Sequence, residues 1–402
     1  MKITGIVAEY NPFHMGHEYQ LKKAREVSSC DGIVVVMSGN YVQRGEPAII
    51  DKFKRAESAI YGGADLVIEL PPPFSSQNAE MFAHAAIGEL KKLPVSAISF
   101  GCENDDTGIL KEIAKLQLTE KFHETIKKEI KSGISYPSAL SNTISSQLGE
   151  KAATLASSPN NVLGIEYIKS MMKYNLNWEI APVKRKGKDH NDTSSSGYFD
   201  SATAIRKLIL KSSFHNISVP EKSKESIHRF YQEQQAFNCL NNYLDILYYE
   251  IIRLGPDGLM NIYEVTEGLN NKIYSNVFRY SNVDDFIMSL KSKRYTYSKL
   301  RRMLLNIILG ITDTDIRYFM LPNSLNCVKV LSFNDTGRQI INESKDKIAF
   351  INRYSDYRKH GIDANNLPLF KLSDKGTNLY YLPFKDRKFS EEYKSNSVYV
   401  KI

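Results

Sequence analysis

Asn11-Pro12-Phe13-His14-Met15-Gly16-His17 is the stretch that decides the fold of this chain. It follows the apolar run Ile3 to Ala8, which predicts a buried strand, and it precedes the amphipathic segment Glu18 to Val27, which predicts a helix. This order predicts a nucleotide-phosphate site, because glycine lets the backbone approach phosphate closely and a helix start offers free N–H groups. His14 and His17 add donors that can neutralise charge developing at an α-phosphate.

A His-x-x-His spacing also arises by chance, with one histidine on the surface and one in the core. The position of the motif favours the functional interpretation. It opens a βα unit, and the preceding Asn-Pro-Phe imposes an extended turn before the helix. Open α/β sheets bind their ligands at the carboxyl ends of strands, which is where this motif lies.

The first two hundred residues repeat this alternation of strand and helix. Further strands are predicted at Gly32 to Ser38, Asp65 to Leu70, Val95 to Phe100 and Trp178 to Val183. Helices are predicted at Asp51 to Tyr61, about Gln77 to Lys91 and about Val162 to Lys173, with residues 107–156 as a helical insertion. The alternation predicts an α/β fold in which a Rossmann-like parallel sheet carries helices on both faces.

Beyond about residue 230 the pattern becomes mostly helical. Short β-like runs occur at Cys327 to Phe333 and at Asn378 to Leu382. A chain of 402 residues is too long for one compact core. We therefore predict two domains, residues 1–225 and residues 226–402.

Composition excludes several classes of protein. The net charge of +8 favours polyanionic partners. Apolar runs such as Ile33 to Met37 are far too short to span a bilayer, and the N-terminus has no signal-peptide layout, so we expect a cytoplasmic protein with no membrane partner. The four cysteines are scattered without a Cys-x-x-Cys pair, which predicts neither a disulfide framework nor a zinc site.

A second phosphate-binding segment is predicted at Ser201-Ala202-Thr203-Ala204-Ile205-Arg206. Hydroxyls at a helix start, with an arginine one turn later, can hold a triphosphate through backbone N–H groups and a bidentate guanidinium. A plain helix cap followed by a surface arginine is the alternative. The polar segment Lys184 to Tyr198, just before it, has the composition of a lid that closes on nucleotide.

Three further positions lie at predicted sheet edges where a nucleotide would bind. Gly101 ends a strand, where a side chain would block an adenine or ribose; a turn glycine is the alternative. Asn160 or Asn161 at a helix start could contact the base edge, unless it only caps the helix. Within Lys184-Arg185-Lys186, a cation could contact phosphate, unless the cluster is simply solvated.

The loop Ser38 to Pro47 suits a pocket for a second, small substrate. Its candidate residues are Ser38, Gly39, Asn40 and Arg44, and Arg44 can pair with a carboxylate. A folded surface loop is the alternative.

The densest basic stretch runs from Lys291 to Arg302 and has tyrosines between its cations. This combination can contact a phosphate backbone and stack on unpaired bases. We predict RNA contacts at Lys291, Lys293, Arg294, Tyr295, Tyr297, Lys299, Arg301 and Arg302. The alternative is an amphipathic helix with one solvated basic face, because apolar residues continue the segment through Ile308.

The first motif resembles the HIGH signature of the nucleotidyltransferase superfamily, and Ser201 to Arg206 resembles its ISSTxIR motif. Ala202 stands where that motif often has Ser, which weakens any role for the middle hydroxyl. More of the chain resembles the bacterial tRNA(Met) cytidine acetate ligase family: Glu9 to His17, Met37 to Asn40, Gln43 to Ala48, Gly63 to Pro71, Ser158 to Asn161, Glu267 to Leu269, Arg294 to Thr296 and Phe333 to Arg338. The resemblance covers essentially the whole chain, and its N-terminal motifs are the more specific ones.

This resemblance implies a nucleotidyltransferase fold and a ligase. Members activate acetate with ATP as acetyl-adenylate and transfer the acetyl group to N4 of the wobble cytidine of elongator tRNA(Met). The implied ATP contacts are Val7, Ala8, Glu9, Tyr10, Asn11, Pro12, Phe13, His14, Met15, Gly16, His17, Glu18, Tyr19, Gln20, Gly101, Asn160 and Arg185.

We assign catalytic roles to His14, His17, Thr203 and Arg206, with Mg²⁺ as a companion of ATP and no metal ligand assigned among the side chains. Two other classes remain open on sequence grounds. One is an adenylyltransferase that acts on a small metabolite without RNA, and the other is a non-catalytic RNA-binding protein on the same fold. The sequence identifies neither the general base nor the oligomeric state.

Overall fold

The computed structural model of this chain describes residues 1–185, 200–211, 217–292, 294–320 and 327–402. The strands are β1 (Ile3–Ala8), β2 (Gly32–Ser38), β3 (Tyr41–Val42), β4 (Glu46–Pro47), β5 (Leu66–Leu70), β6 (Val95–Ser99), β7 (Gly101–Cys102), β8 (Glu179–Ile180), β9 (Val183–Lys184), β10 (Cys327–Phe333), β11 (Ala349–Ile351) and β12 (Val398–Tyr399).

The helices are α1 (Met15–Ser28), α2 (Lys52–Tyr61), α3 (Ala79–Leu90), α4 (Thr107–Gln117), α5 (Glu120–Lys131), α6 (Tyr136–Leu148), α7 (Glu150–Ser157), α8 (Pro159–Lys173), α9 (Ala202–Leu210), α10 (Glu221–Gln234), α11 (Leu244–Leu259), α12 (Leu269–Asn276), α13 (Val283–Leu290), α14 (Tyr297–Leu309), α15 (Asp313–Phe319), α16 (Asp335–Ser344), α17 (Tyr354–Lys359), α18 (Pro368–Tyr381) and α19 (Glu391–Lys394). Short 3₁₀ turns lie at Phe74–Ser76, Leu240–Tyr243, Val277–Arg279 and Ala364–Asn366. Among the described residues, no helix has both the length and the apolar character needed to cross a bilayer.

A mostly parallel sheet forms the centre of the molecule. Its strands follow the order β11-β10-β5-β2-β1-β6-β8, and β12 pairs with β10. Only the pairing of β10 with β5 is antiparallel among the described strands of this sheet. The part β5-β2-β1-β6-β8 has the order of a doubly wound nucleotide-binding sheet, in which the direction of winding changes between β1 and β6.

The burial of β2 explains why helices cover both faces of this sheet. Every residue of β2 is buried, and successive side chains point to opposite faces. Val34 and Val36 join the core beneath α3 and α8, whereas Ile33 and Val35 join the core beneath α1 and α2. The predicted parallel sheet with helices on both faces is confirmed.

Most predicted elements of the first two hundred residues are confirmed with small shifts. Strands β1 and β2 have the predicted bounds, and Asp51 caps α2 by accepting the N–H groups of Phe53 and Lys54 at 2.9 and 3.0 Å. The insertion consists of α4 to α7. The strand predicted at Trp178 to Val183 is shorter, because β8 covers only two residues and the chain then pairs with β7 as β9.

The C-terminal part differs from the prediction at one element. Cys327 to Phe333 is β10, as predicted, but the β-like interpretation of Asn378 to Leu382 is wrong, because this segment lies almost wholly in α18. The buried positions Thr377, Tyr380 and Tyr381 follow helical spacing.

The central sheet also crosses the predicted domain boundary at residue 226. Strand β10 pairs with β5, and β11 and β12 extend the sheet beyond it. The division into residues 1–225 and 226–402 stays a prediction. Helices α11 to α14 form a separate core, in which Leu247, Phe286 and Leu304 are fully buried.

Candidate active site

A cavity of about 380 Å³ opens at the carboxyl ends of β1 and β6. These two strands flank the point where the winding of the sheet changes direction, which is where sheets of this type bind ligands. The starts of α1, α8 and α9 complete the walls. Three segments that are distant in sequence therefore face one space.

Most of the predicted ATP stretch lines this cavity. The lining residues from it are Val7, Ala8, Glu9, Tyr10, Asn11, His14, Gly16, His17, Tyr19 and Gln20. Pro12, Phe13, Met15 and Glu18 lie outside the lining. Phe13 is buried in the core on the α1 side of the sheet, where its ring packs edge-on against Tyr10 with centroids 4.9 Å apart. The side chain of Phe13 thus serves packing.

His14 and His17 cap helix α1 as a reciprocal pair. The Nδ1 atom of His14 accepts the N–H of Gly16 at 3.0 Å, and Nδ1 of His17 accepts the N–H of His14 at 3.3 Å. A neutral imidazole that accepts through Nδ1 carries its proton on Nε2. The cap therefore fixes the tautomer of both rings and makes each Nε2–H group a donor, as an anion-binding role requires.

Arg206 lies at the beginning of the second turn of α9 and joins the two predicted phosphate segments. Its Nη1 donates to the carbonyl oxygen of Asn11 at 2.8 Å, and its Nη2 donates to Oγ1 of Thr203 at 3.3 Å. Ser201 caps α9 by accepting the N–H of Ala204 at 3.1 Å. Ser201, Thr203 and Arg206 all line the cavity, so the helix start and its guanidinium face the histidine pair.

The other predicted nucleotide contacts lie on the opposite wall. Gly101, Asn160 and Arg185 line the cavity. Asn161 is fully buried and its Oδ1 accepts the N–H of Glu103 at 3.2 Å, so Asn160 is the one of the two that lines the cavity, where its Nδ2 donates to Glu103 at 2.6 Å. Lys184 lies outside the lining, and Lys186 and most of the predicted lid lie outside the described residues.

Only Arg44 of the four residues predicted for the small-substrate pocket lines the cavity. Ser38, Gly39 and Asn40 are buried at the beginning of the loop. Asn40 donates to Oγ1 of Thr377 at 3.2 Å and accepts the N–H of Lys52 at 3.1 Å, while the carbonyls of Ser38 and Gly39 accept from Arg55. These three residues hold the loop in place.

Two glutamates lie among the arginines of this site. The carboxylate of Glu9 lines the cavity and accepts the N–H of Gln43 at 2.7 Å. Burial raises the pKa of Glu9, although Arg44 and Arg206 oppose the shift. Burial would also raise the pKa of Glu46, but Arg206 and Arg301 outweigh it and hold that pKa below its ordinary value. Glu46 is therefore ionised at neutral pH.

The basic stretch predicted to bind RNA divides into an exposed part and a buried part. Lys291 and Arg294 are exposed, Tyr295, Tyr297 and Lys299 are half-buried, and Lys293 lies outside the described residues. Arg301 forms an ion pair with Glu46. Arg302 lies beside Glu264, and burial lowers the pKa of Arg302 by more than Glu264 raises it. Helix α14 turns both half-buried arginines toward the protein, so the alternative of a solvated basic face does not hold for them, while RNA contacts at Arg301 and Arg302 stay a prediction.

Several lining residues carry no functional signal that the sequence pattern reveals. Phe82, Phe100 and Tyr167 form an aromatic wall, with the rings of Phe100 and Tyr167 5.9 Å apart, and Asp200 precedes the cap residue Ser201. The aromatic residues belong to predicted strands and helices, where they are indistinguishable from core. Asp200 had one available signal, its place immediately before a predicted phosphate-binding helix start.

The described side chains that line the cavity do not by themselves supply a full set of ligands for a metal ion. Among the described residues, no group of three or more His, Cys, Asp or Glu side chains is arranged to hold one. Mg²⁺ commonly keeps several waters and binds through substrate phosphates with one or two carboxylates. The residues therefore fit a Mg²⁺ that arrives with ATP, held mainly by the phosphates, with Glu9 and Asp200 as the cavity's carboxylates.

The chain is similar to known proteins both in sequence and in structure. Residues 1–396 match the family model of the HIGH nucleotidyl transferases. The chain is 36% identical over 397 residues to tRNA(Met) cytidine acetate ligase of Thermoanaerobacter sp. (strain X514), with 96% of both chains covered. It is 37% identical over 381 residues to the protein of that name from Staphylococcus aureus (strain JH9), with 94% of this chain and 95% of the relative covered.

Two solved structures of Thermotoga maritima TmcAL have the same overall fold as this chain. The apo form matches with a TM-score of 0.92 at 32% identity, and the form bound with alpha-thio ATP matches with a TM-score of 0.89 at 31% identity. Each match covers 100% of both chains. The likeness therefore extends over the sheet, the cavity and the helical region together.

Proposed function

The chain belongs to the tRNA(Met) cytidine acetate ligase family of HIGH nucleotidyl transferases, and on this premise we propose that it activates acetate with ATP and acetylates N4 of the wobble cytidine of elongator tRNA(Met) in the cytoplasm. The relatives named above are called tRNA(Met) cytidine acetate ligase, and this chain aligns with each of them over nearly its full length. A structural neighbour bound with an ATP analogue supports ATP as the nucleotide.

The observation that carries the proposal is the bond between the two phosphate segments. Arg206 on α9 donates to the carbonyl of Asn11, at the start of the histidine turn, and both segments line one cavity. Backbone N–H groups, two imidazoles and a guanidinium thus converge where a triphosphate would lie. This convergence supports nucleotide activation over a purely RNA-binding role.

In the proposed first step, an acetate oxygen attacks the α-phosphorus of ATP and pyrophosphate leaves. His14 and His17 donate to the phosphates through Nε2 and stabilise the charge that develops there. Thr203 and Arg206 hold the leaving pyrophosphate. Arg44 is the candidate partner of the acetate carboxylate, because it is the cation of its loop that lines the cavity. Mg²⁺ accompanies the ATP phosphates in this proposal.

In the second step, the cytidine amine attacks the acetyl carbon of acetyl-adenylate and AMP leaves. The base must be unstacked to reach the cavity, and an anticodon loop supplies such a base readily. The exposed cations Lys291 and Arg294 support an RNA partner, because they directly precede α14. Arg301 of α14 contacts Glu46, which lies in the loop Ser38 to Pro47 beside the cavity. That arrangement is what distinguishes this function from adenylation of a small metabolite.

The test is mass spectrometry of nucleosides from a tRNA pool incubated with the protein, ATP and labelled acetate. We expect labelled N4-acetylcytidine in elongator tRNA(Met) only, and its formation should require ATP. Pyrophosphate release with acetate but without any labelled nucleoside would favour an adenylyltransferase that does not use RNA. Neither product, with every small carboxylate tried, would contradict the proposed function.

A further inference from the structure

Glu46 is a half-buried carboxylate shared by two arginines from different parts of the chain. Its Oε1 lies 3.3 Å from Nη2 of Arg206, and its Oε2 forms an ion pair with Nη2 of Arg301. The side chains of Glu46, Arg206 and Arg301 are 15%, 14% and 18% exposed. Because little water reaches these groups, the charge on each strongly affects the other two.

The two arginines belong to the two proposed binding sites. Arg206 faces the nucleotide cavity, whereas Arg301 lies on the first turns of α14, which directly follow the exposed cations Lys291 and Arg294. The guanidinium of Arg301 also lies 5.7 Å from the ring centre of Tyr297. One carboxylate thus stands between the end of the basic stretch and the phosphate side of the cavity.

The backbone connects the same two elements. Gly45, just before Glu46, has a φ of +76°, and a Cβ there would lie 2.5 Å from the amide nitrogen of Arg302 and 2.7 Å from the carbonyl carbon of Arg301. The loop therefore rests directly on the helix backbone with no intervening side chain. A displacement of α14 at Arg301 would move the loop that carries Glu46.

We propose that Glu46 couples RNA binding on α14 to phosphate binding at Arg206, acting as a positioning residue between the two sites. This inference rests on the proposed function. With Arg301 in place, the negative charge of Glu46 is neutralised by two cations. Arg44 also attracts Glu46, but less than Arg206 and Arg301 do. If RNA phosphates attract Arg301, Glu46 keeps only Arg206 and this weaker attraction, and its less compensated charge faces the triphosphate. RNA binding then weakens the hold on ATP and on pyrophosphate, so arrival of tRNA promotes pyrophosphate release after acetyl-adenylate forms.

The test compares the Kd of α,β-methylene ATP in the presence and absence of a tRNA(Met) transcript, at one salt concentration. For the wild-type protein we expect RNA to raise this Kd about fivefold or more, the low end of ordinary coupling between sites. Glu46→Gln and Arg301→Met should both reduce the factor to about 1. Glu57→Gln is the matched control, because Glu57 pairs with Arg229 between α2 and α10 and should retain the wild-type factor.

The two variants should also shift the Kd for the analogue without RNA in opposite directions. Glu46→Gln removes a negative charge near the phosphates and lowers this Kd, whereas Arg301→Met leaves that charge less compensated and raises it. A structural defect alone would raise both values. Gly45→Ala should reduce the coupling by forcing the loop off α14, while Gly133→Ala, also at positive φ but with nothing within 4 Å of its Cβ, should not.

The coupling is overturned if the wild-type Kd does not respond to RNA, or if Glu46→Gln keeps the wild-type factor. If Glu46→Gln does not fold, Arg301→Met decides in the same way. A wild-type protein that binds no tRNA(Met) overturns the proposed function as well. Acetylation of tRNA with unaltered coupling in both variants overturns only this inference.

Discussion

The imidazole rings of His14 and His17 stack with their centroids 3.7 Å apart and their planes inclined by 23°. The same two residues cap α1 reciprocally through their Nδ1 atoms. One pair of side chains thus starts the helix and lines the cavity. The structural and the chemical roles of the motif are carried by the same two rings, the first through Nδ1 and the second through Nε2.

His17→Ala is expected to reduce acetyl-adenylate formation by at least about 10²-fold, the usual effect of removing a donor to developing charge. The lost cap should cost only about 1 kcal/mol of stability, because one backbone N–H loses its partner. The measurement is acetate-dependent exchange between ATP and pyrophosphate, together with tRNA affinity. Affinity for tRNA should stay close to that of the wild type.

His84→Ala is the control for this prediction. His84 is a partly buried histidine whose ring stacks on Tyr174 at 4.5 Å, and it lies outside the cavity lining. The His84→Ala variant should leave the rate of exchange between ATP and pyrophosphate nearly unchanged. Parallel loss of exchange and of tRNA affinity in His17→Ala would show that His17 acts only through the fold.

The elements that the sequence predicts well are those whose signal is local. Strand β2 is a continuous apolar run, α2 begins at a capping aspartate, and the histidine turn lies between a strand and a helix. Arg206 could be placed near a phosphate because it follows two hydroxyls at a helix start. These patterns are complete within about ten residues and need no distant partner.

The features that the sequence does not reveal depend on distant partners. Asn40 is held by Thr377, 337 positions later, so it supports the loop instead of lining the cavity. Arg301 is paired with Glu46, 255 positions earlier, which a local basic pattern cannot indicate. Likewise β10, which begins at Cys327, belongs to the same sheet as β1, which begins at Ile3. Charge and hydropathy alone do not distinguish a cation facing RNA from one facing a half-buried carboxylate.

Replacing the exposed cations Lys291 and Arg294 together with alanine should weaken tRNA binding. If each contacts one phosphate, the slope of log K against log salt should decrease in magnitude by about 1.4 to 1.8. Affinity for α,β-methylene ATP should persist, because neither side chain lines the cavity. The measurement is a salt titration of tRNA binding for wild type and double variant.

The matched control for the basic surface is Lys127→Ala with Lys128→Ala. Both lysines are exposed on α5, in the helical insertion, so this variant removes the same charge from another face. It should retain the wild-type slope. Equal changes in both double variants would show that only net charge matters and would remove the 291–302 stretch from the RNA surface.

Glu392 and Lys52 form a buried ion pair that fixes α19 to α2, and Glu69 is the second carboxylate on Lys52. Glu392→Gln should lower the free energy of unfolding by about 3–5 kcal/mol, since it leaves two cations, Lys52 and the largely buried Lys329, with Glu69 as their one remaining carboxylate. The measurement is urea unfolding at neutral pH. Glu391→Gln, at the neighbouring half-buried position, should cost less than about 1 kcal/mol.

The same pair predicts a dependence of stability on pH. Burial would raise the pKa of Glu392, but Lys52 and Lys329 outweigh it and lower the pKa to about 2. Because the folded pKa lies below the ordinary 4.5, the stabilisation is complete above that value and is lost as pH falls toward 2. Unfolding free energies measured between pH 6 and 3 should therefore fall more steeply for wild type than for Glu392→Gln. The difference in slope should correspond to about one proton taken up on unfolding. Equal slopes would contradict this prediction.

Gly101→Ala should separate nucleotide binding from protein stability. A Cβ at Gly101 would lie 3.5 Å from Cγ of Arg185, an ordinary contact, so the free energy of unfolding should change by less than about 0.5 kcal/mol. The methyl group would nevertheless project into the cavity beside Arg185, and we expect ATP affinity to fall at least about tenfold, or 1.4 kcal/mol.

Gly164→Ala is the contrasting variant, because its Cβ would lie 2.9 Å from a ring carbon of Phe100 and should cost about 1–3 kcal/mol of stability. Thermal unfolding and calorimetric ATP titration of both variants provide the measurement. Wild-type ATP affinity in a stably folded Gly101→Ala protein would mean that the nucleotide does not reach Gly101 at the start of β7.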